Sequence, residues 1–153
     1  MASPTQNSVS RIPCLLVLLG LPLAQASAWA QTGAFRVVVN GSNPASSMSR
    51  GDVSKAFLGK IDRWGNGFRL TPVDTAASNP ARIAFSRRIH KKDVKAIKRY
   101  WRKVTFSGLG TPLAELESDA AVLDFVSRNV GAIGYVSTGT ALGNGVKMLE
   151  VTE

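Results

Sequence analysis

The sequence is poor in the side chains that most often carry chemistry. It holds one cysteine and one histidine in 153 residues. A single thiol, Cys14, can form no disulfide within the chain, and no Cys/His set stands at zinc-ligand spacing. His90 lies beside Arg88, Lys91 and Lys92, the setting of a surface residue rather than a metal ligand. No Gly-x-Ser-x-Gly elbow occurs, and no nucleophile is matched by a base. Gly108-Leu109-Gly110 lacks the remainder of any phosphate-loop pattern. Acids are scarce as well, 10 Asp/Glu against 19 Lys/Arg, for a formal net charge of +9. Glu115, Glu117 and Asp119 stand at or before an expected helix start, where the helix dipole accounts for them. These absences argue for a binder and against an enzyme, with no cofactor and no metal expected.

Long apolar runs are missing too. Ile12 to Ala24 is apolar but broken by Pro13, Gly20 and Pro22, and falls short of the roughly 20 residues of a membrane-spanning helix. Arg11 is the only charged side chain before position 36, and the run ends in Ala26-Ser27-Ala28-Trp29-Ala30. Small residues at both key positions of a cleavage site mark residues 1–30 as a secretory signal, cut after Ala30 or after Ala28. Residues 31–153 then form one domain. Cys14 leaves with the signal, and export without cysteines points to the bacterial periplasm. The remaining chain carries 18 Lys/Arg and 10 Asp/Glu, a net +8. Such an excess favours anionic partners, and export argues against nucleic acid among them.

What is present is a regular alternation of strand and helix patterns. Phe35 to Val39 is a β-branched run, expected as a mostly buried strand. Ser49 with Asp52 has the form of a capping box ahead of Val53, Ala56 and Phe57, and Gly59 stops that helix. Phe68 to Val73 reads as the next strand. Ser78 or Asn79 caps a short helix with Pro80 in its first turn. A longer helix is expected over 92–104, with Val94, Ile97, Trp101 and Val104 on one face. Ser118 caps a helix carrying Val122, Phe125 and Val126, and strands follow over 132–136 and 146–151. The class is α/β, with a small mixed or parallel sheet.

Charge is concentrated in one segment. Ten of the Lys/Arg fall between Arg82 and Lys103, with Asp93 the only acid among them. On the 92–104 helix the cations lie opposite Val94, Ile97 and Trp101. Lys92, Lys95, Lys98, Arg99 and Arg102 form a face that suits either plain solvation or docking to an anionic membrane surface, lipopolysaccharide or an acidic protein.

Four segments, in order, resemble the C-terminal half of the phosphate-binding proteins of phosphate-uptake ABC transporters. They are Val37-Val38-Val39-Asn40; Ala56-Phe57-Leu58-Gly59-Lys60-Ile61 followed by Trp64; the strand Leu70 to Val73 with the capped helix holding Phe85; and Gly131-Ala132-Ile133-Gly134-Tyr135-Val136. The resemblance implies a single lobe of a periplasmic-binding-protein fold, a small, mostly parallel sheet flanked by helices. It also implies an oxyanion ligand, phosphate first, and an ABC permease or envelope sensor as partner. Helix-start amides and hydroxyls would hold the anion. Thr75, Ser78, Asn79 and Arg82 lie where the family's site falls, with an ordinary helix cap as the other reading, and Ser47 could contribute from a second loop or serve only as a cap or in loop solvation. Two departures stand out. Asp74 occupies the place near the family's arginine, and Ser78-Asn79-Pro80-Ala81 replaces its Ser-Gly-Thr, with Pro80 removing one N–H. Two alternatives stay open: a lobe that has lost its ligand and docks through the basic helix, and a homodimer that rebuilds a two-lobed site.

Overall fold

The computed structural model describes residues 34–153. The expected secretory signal therefore lies outside the described residues. Among them, no helix is long and apolar enough to cross a membrane.

A five-stranded sheet forms the middle layer, in the order β4-β3-β5-β1-β6. Its strands are β1 (Phe35–Asn40), β3 (Thr71–Thr75), β4 (Ala114–Leu116), β5 (Ala132–Ser137) and β6 (Val146–Met148). A second sheet pairs β2 (Ser47–Ser49) with β7 (Glu150–Thr152). The helices are α1 (Arg50–Phe57), α2 (Pro80–Phe85), α3 (Val94–Phe106) and α4 (Asp119–Arg128). β3 runs parallel to β4 and β5, and β2 parallel to β7, while β1 is antiparallel to β5 and β6. Three of the five pairings are thus parallel.

The β-branched run of β1 is continuous because both faces of the sheet are covered. Val37 and Val39 join one core with Val53, Phe57, Phe85, Ile133 and Tyr135, beneath α1 and α2. Val38 points the other way, to Val73, Val122, Val126 and Val136 under α4. The period of two along β1 and β5 sorts the side chains between these cores. Gly134 lets α4 seat on the sheet, because a Cβ there would stand 2.7 Å from Val122 Cγ1 and 3.2 Å from Val73 Cγ2.

The helix ends follow the sequence reading closely. Ser49 caps α1 by accepting from the Asp52 amide, and Ser118 caps α4 through the Ala121 amide. Gly59 has φ +66° and lies against the Trp101 ring, which a Cβ would meet at 2.9 Å. Several boundaries shift. The strand expected over 68–73 is β3, placed at 71–75, and Phe68 is exposed in the connector instead. α3 starts at Val94 because Asp93 caps it, accepting from the Ala96 amide, so Lys92 precedes the helix. α2 runs on into a wider turn, Ser86–His90, that ends at Lys91 with φ 56°.

Candidate functional site

β3 delivers Asp74 and Thr75 to the sheet's edge region, and the 76–79 turn leads into α2. Asn79 is the cap: its side-chain oxygen accepts from the Ala81 amide at 2.8 Å. Its amide group reaches Thr75 Oγ1 at 3.2 Å and Asp119 Oδ1 at 3.4 Å. Thr75 is fully buried, and its hydroxyl donates to the Leu116 carbonyl at 3.1 Å, tying β3 to β4. Ser78 is exposed at the turn.

Arg82 turns inward rather than toward the turn. Only 3% of it is exposed, although its neighbours Arg87 and Arg88 face solvent. Its guanidinium meets Asp74 Oδ2 at 2.9 Å and Glu115 Oε1 at 2.7 Å, and it also donates to the Thr75 carbonyl. Asp74 is answered from three directions. Besides Arg82, it accepts from the Thr75 amide at 2.9 Å and from the Tyr135 hydroxyl. Burial pushes the Asp74 carboxyl above the ordinary carboxylate range, against the opposing pull of Arg82. Burial and the adjacent carboxylate push the Tyr135 phenol far up, so it remains a donor. The Tyr135 ring is fixed by stacking on Phe85, centroids 4.0 Å apart.

The chain thus builds an anion socket and fills it with its own carboxylate. An amide, a hydroxyl and a guanidinium converge on Asp74, as they would on a bound oxyanion. Thr75, Ser78, Asn79 and Arg82 are brought to one strand–turn–helix junction. Of these, Thr75 and Arg82 have their polar groups engaged inside the protein, and Ser78 faces solvent. Ser47 is not part of this junction; it sits exposed on β2, paired with Glu150 of the small sheet.

Tyr135 and Glu115 escape a reading of the sequence, because nothing local marks a strand tyrosine as a partner of Asp74 or an edge glutamate as a partner of Arg82. His90 departs from its expected surface role. It is half-buried, its Nδ1 lies 2.8 Å from Ser54 Oγ, and its ring meets Phe85 edge-on. Burial, with the charge of Arg82, lowers its pKa to about 4. Asp119 joins α4 to the end of β5, accepting from the Ser137 amide at 2.9 Å and the Thr140 hydroxyl at 2.7 Å. Burial opposes its ionisation, yet these hydrogen bonds hold its pKa below the usual value. The five expected surface cations, Lys92, Lys95, Lys98, Arg99 and Arg102, are all exposed. Among the described residues, no group of three or more His, Cys, Asp or Glu side chains is placed to hold a metal ion.

No family model and no curated protein matches the chain. Solved structures do. An ABC-type phosphate transport receptor from Vibrio cholerae superposes with a TM-score of 0.59 at 20% identity, over 76% of this chain and 45% of that one. A putative phosphate ABC transporter substrate-binding protein from Clostridium perfringens, solved with bound phosphate, gives 0.60 at 17% identity, over 76% and 44%. PstS from Borrelia burgdorferi gives 0.55 at 14%, over 78% and 47%. The chain spans less than half the length of these structures. At such identities the likeness establishes the fold: this chain is built like one lobe of a periplasmic binding protein.

Proposed function

We propose that the chain is a periplasmic solute-binding lobe that receives a compact oxyanion, inorganic phosphate first, beside an ABC-type uptake system. Residues 1–30 act as its secretory signal. The observation that carries this reading is the shared lobe architecture with the phosphate receptors of Vibrio cholerae and Clostridium perfringens. The excess of Lys/Arg over Asp/Glu supports an anionic guest.

The binding face in this reading is the turn carrying Ser78 and Asn79. Its donors are the exposed Ser78 hydroxyl and the main chain of the turn. The affinity is low, because Asn79 already takes the Ala81 amide, Pro80 offers none, and Arg82 is neutralised by two carboxylates. A second surface, from the permease or another lobe, would complete the site.

Calorimetry of the chain without residues 1–30 tests the reading. Phosphate should bind with a dissociation constant of about 1 mM, near the weak end of specific recognition. Ser78→Ala should weaken it further. Neither heat nor a thermal shift with phosphate or sulfate at that concentration would remove the reading.

A further inference from the structure

A cleft of about 860 Å³ opens between α3 and the chain that leads into β4. That volume suits a small organic ligand. Its lining divides by chemistry. Asp74, Arg82 and Glu115 belong to it as the ion-paired set already described. Trp101, Phe106, Pro112 and Leu113 give it an apolar wall, and Phe106 is 92% exposed. From α3 come Lys95, Lys98, Arg99 and Arg102. Positions 95, 98 and 102 repeat at intervals of three and four, so they form one stripe along the helix.

None of these four cations has a carboxylate partner among the described residues. The two acids of the lining are both engaged by Arg82. The lining therefore holds five cations against two anions, an excess of three positive charges around one concave space. Inorganic phosphate would answer the charge and leave the apolar wall wet. A neutral apolar molecule would cover the wall and leave the cations repelling one another. A dianionic head answers a row of cations better than a single negative charge.

We infer that this cleft binds a free organic phosphomonoester, its phosphate on the Lys98–Arg102 stripe and its alkyl or aryl body against Phe106 and Leu113. This site is separate from the Ser78 turn, and it stands whether or not that turn takes inorganic phosphate. The cleft is concave, and a concave lining suits a small ligand better than a planar membrane surface.

Octyl phosphate is the probe, used below its micellar concentration and followed by calorimetry and by Trp fluorescence. Saturable binding is expected, weakened roughly tenfold by Lys98→Glu with Arg102→Glu. Phe106→Ser, a change at an exposed position, should weaken octyl phosphate and leave any inorganic phosphate binding unaltered. Circular dichroism checks that both variants fold. Three results would each overturn the inference: no octyl phosphate binding, binding indifferent to the charge reversal, or inorganic phosphate displacing octyl phosphate at equal concentration. Phosphatidylglycerol vesicles that sediment the protein through the same cations, with no uptake of octyl phosphate, would assign the surface to a membrane instead.

Discussion

Asp74 is the buried carboxylate on which this junction turns. Its carboxylate sits where donors converge, and Arg82, Tyr135 and the Thr75 amide all serve it. Removing one member of such a buried pair leaves the other charge without compensation, which costs far more than the pair itself contributes. Asp74→Ala should therefore destabilise the fold in urea unfolding, by less than the roughly 3–5 kcal/mol of a fully broken buried pair, because Glu115 still meets the Arg82 guanidinium at 2.7 Å. Asp74→Leu combined with Arg82→Met should recover most of that loss, because no charge is then left buried. Equal losses in the single and the double variant would mean that shape, not charge, holds this junction together.

At the scale of elements, His90 links the turn after α2 to Ser54 on α1 and to the Phe85 ring. Its pKa lies at about 4 in the fold, below the ordinary imidazole value of 6.5. The unfolded chain therefore takes up a proton first as the pH falls, and stability declines from pH 6.5 downward until the folded pKa is reached. By about pH 5 the loss should be on the order of 1 kcal/mol, discounted for the partial exposure of the ring. His90→Gln should flatten the stability profile in that window, and a parallel profile in wild type and variant would contradict it. The elements were legible in the sequence wherever burial imposed a period. β1, β5 and α3 carry long apolar patterns, and α1, α2 and α4 carry caps, so all six were found. β2 and β4 span three residues each and were not, since so short a strand has no period to detect. The shift of the second strand to β3 has a similar cause, because Phe68 looks apolar but lies outside the ladder. The inward turn of Arg82 was illegible for a different reason. An arginine in so basic a segment is expected in solvent. Its partners stand at positions 74 and 115, and only the pairing of β3 with β4 brings them together.

For the whole molecule, the uneven charge has a stability cost as well as a ligand preference. Lys95, Lys98, Arg99 and Arg102 crowd one side of a helix, and their spacing lies within the Debye length of about 8 Å at physiological salt. Their mutual repulsion is therefore not screened away in dilute buffer. The cation-rich cleft wall is held in place by the apolar side of α3, where Ile97 and Trp101 are buried and the Tyr100 hydroxyl donates to the Leu58 carbonyl at 2.8 Å. Raising NaCl to roughly 0.5 M should accordingly increase the melting temperature by about 2–4 °C. Lys98→Glu with Arg102→Glu should raise it in dilute buffer and reduce its dependence on salt. The same double change is expected to weaken octyl phosphate, so stability and ligand capture should move in opposite directions when these two charges are reversed. A charge reversal that lowers the melting temperature and leaves its salt dependence intact would show that the stripe contributes contacts to the fold, and that its repulsion is not the term that matters.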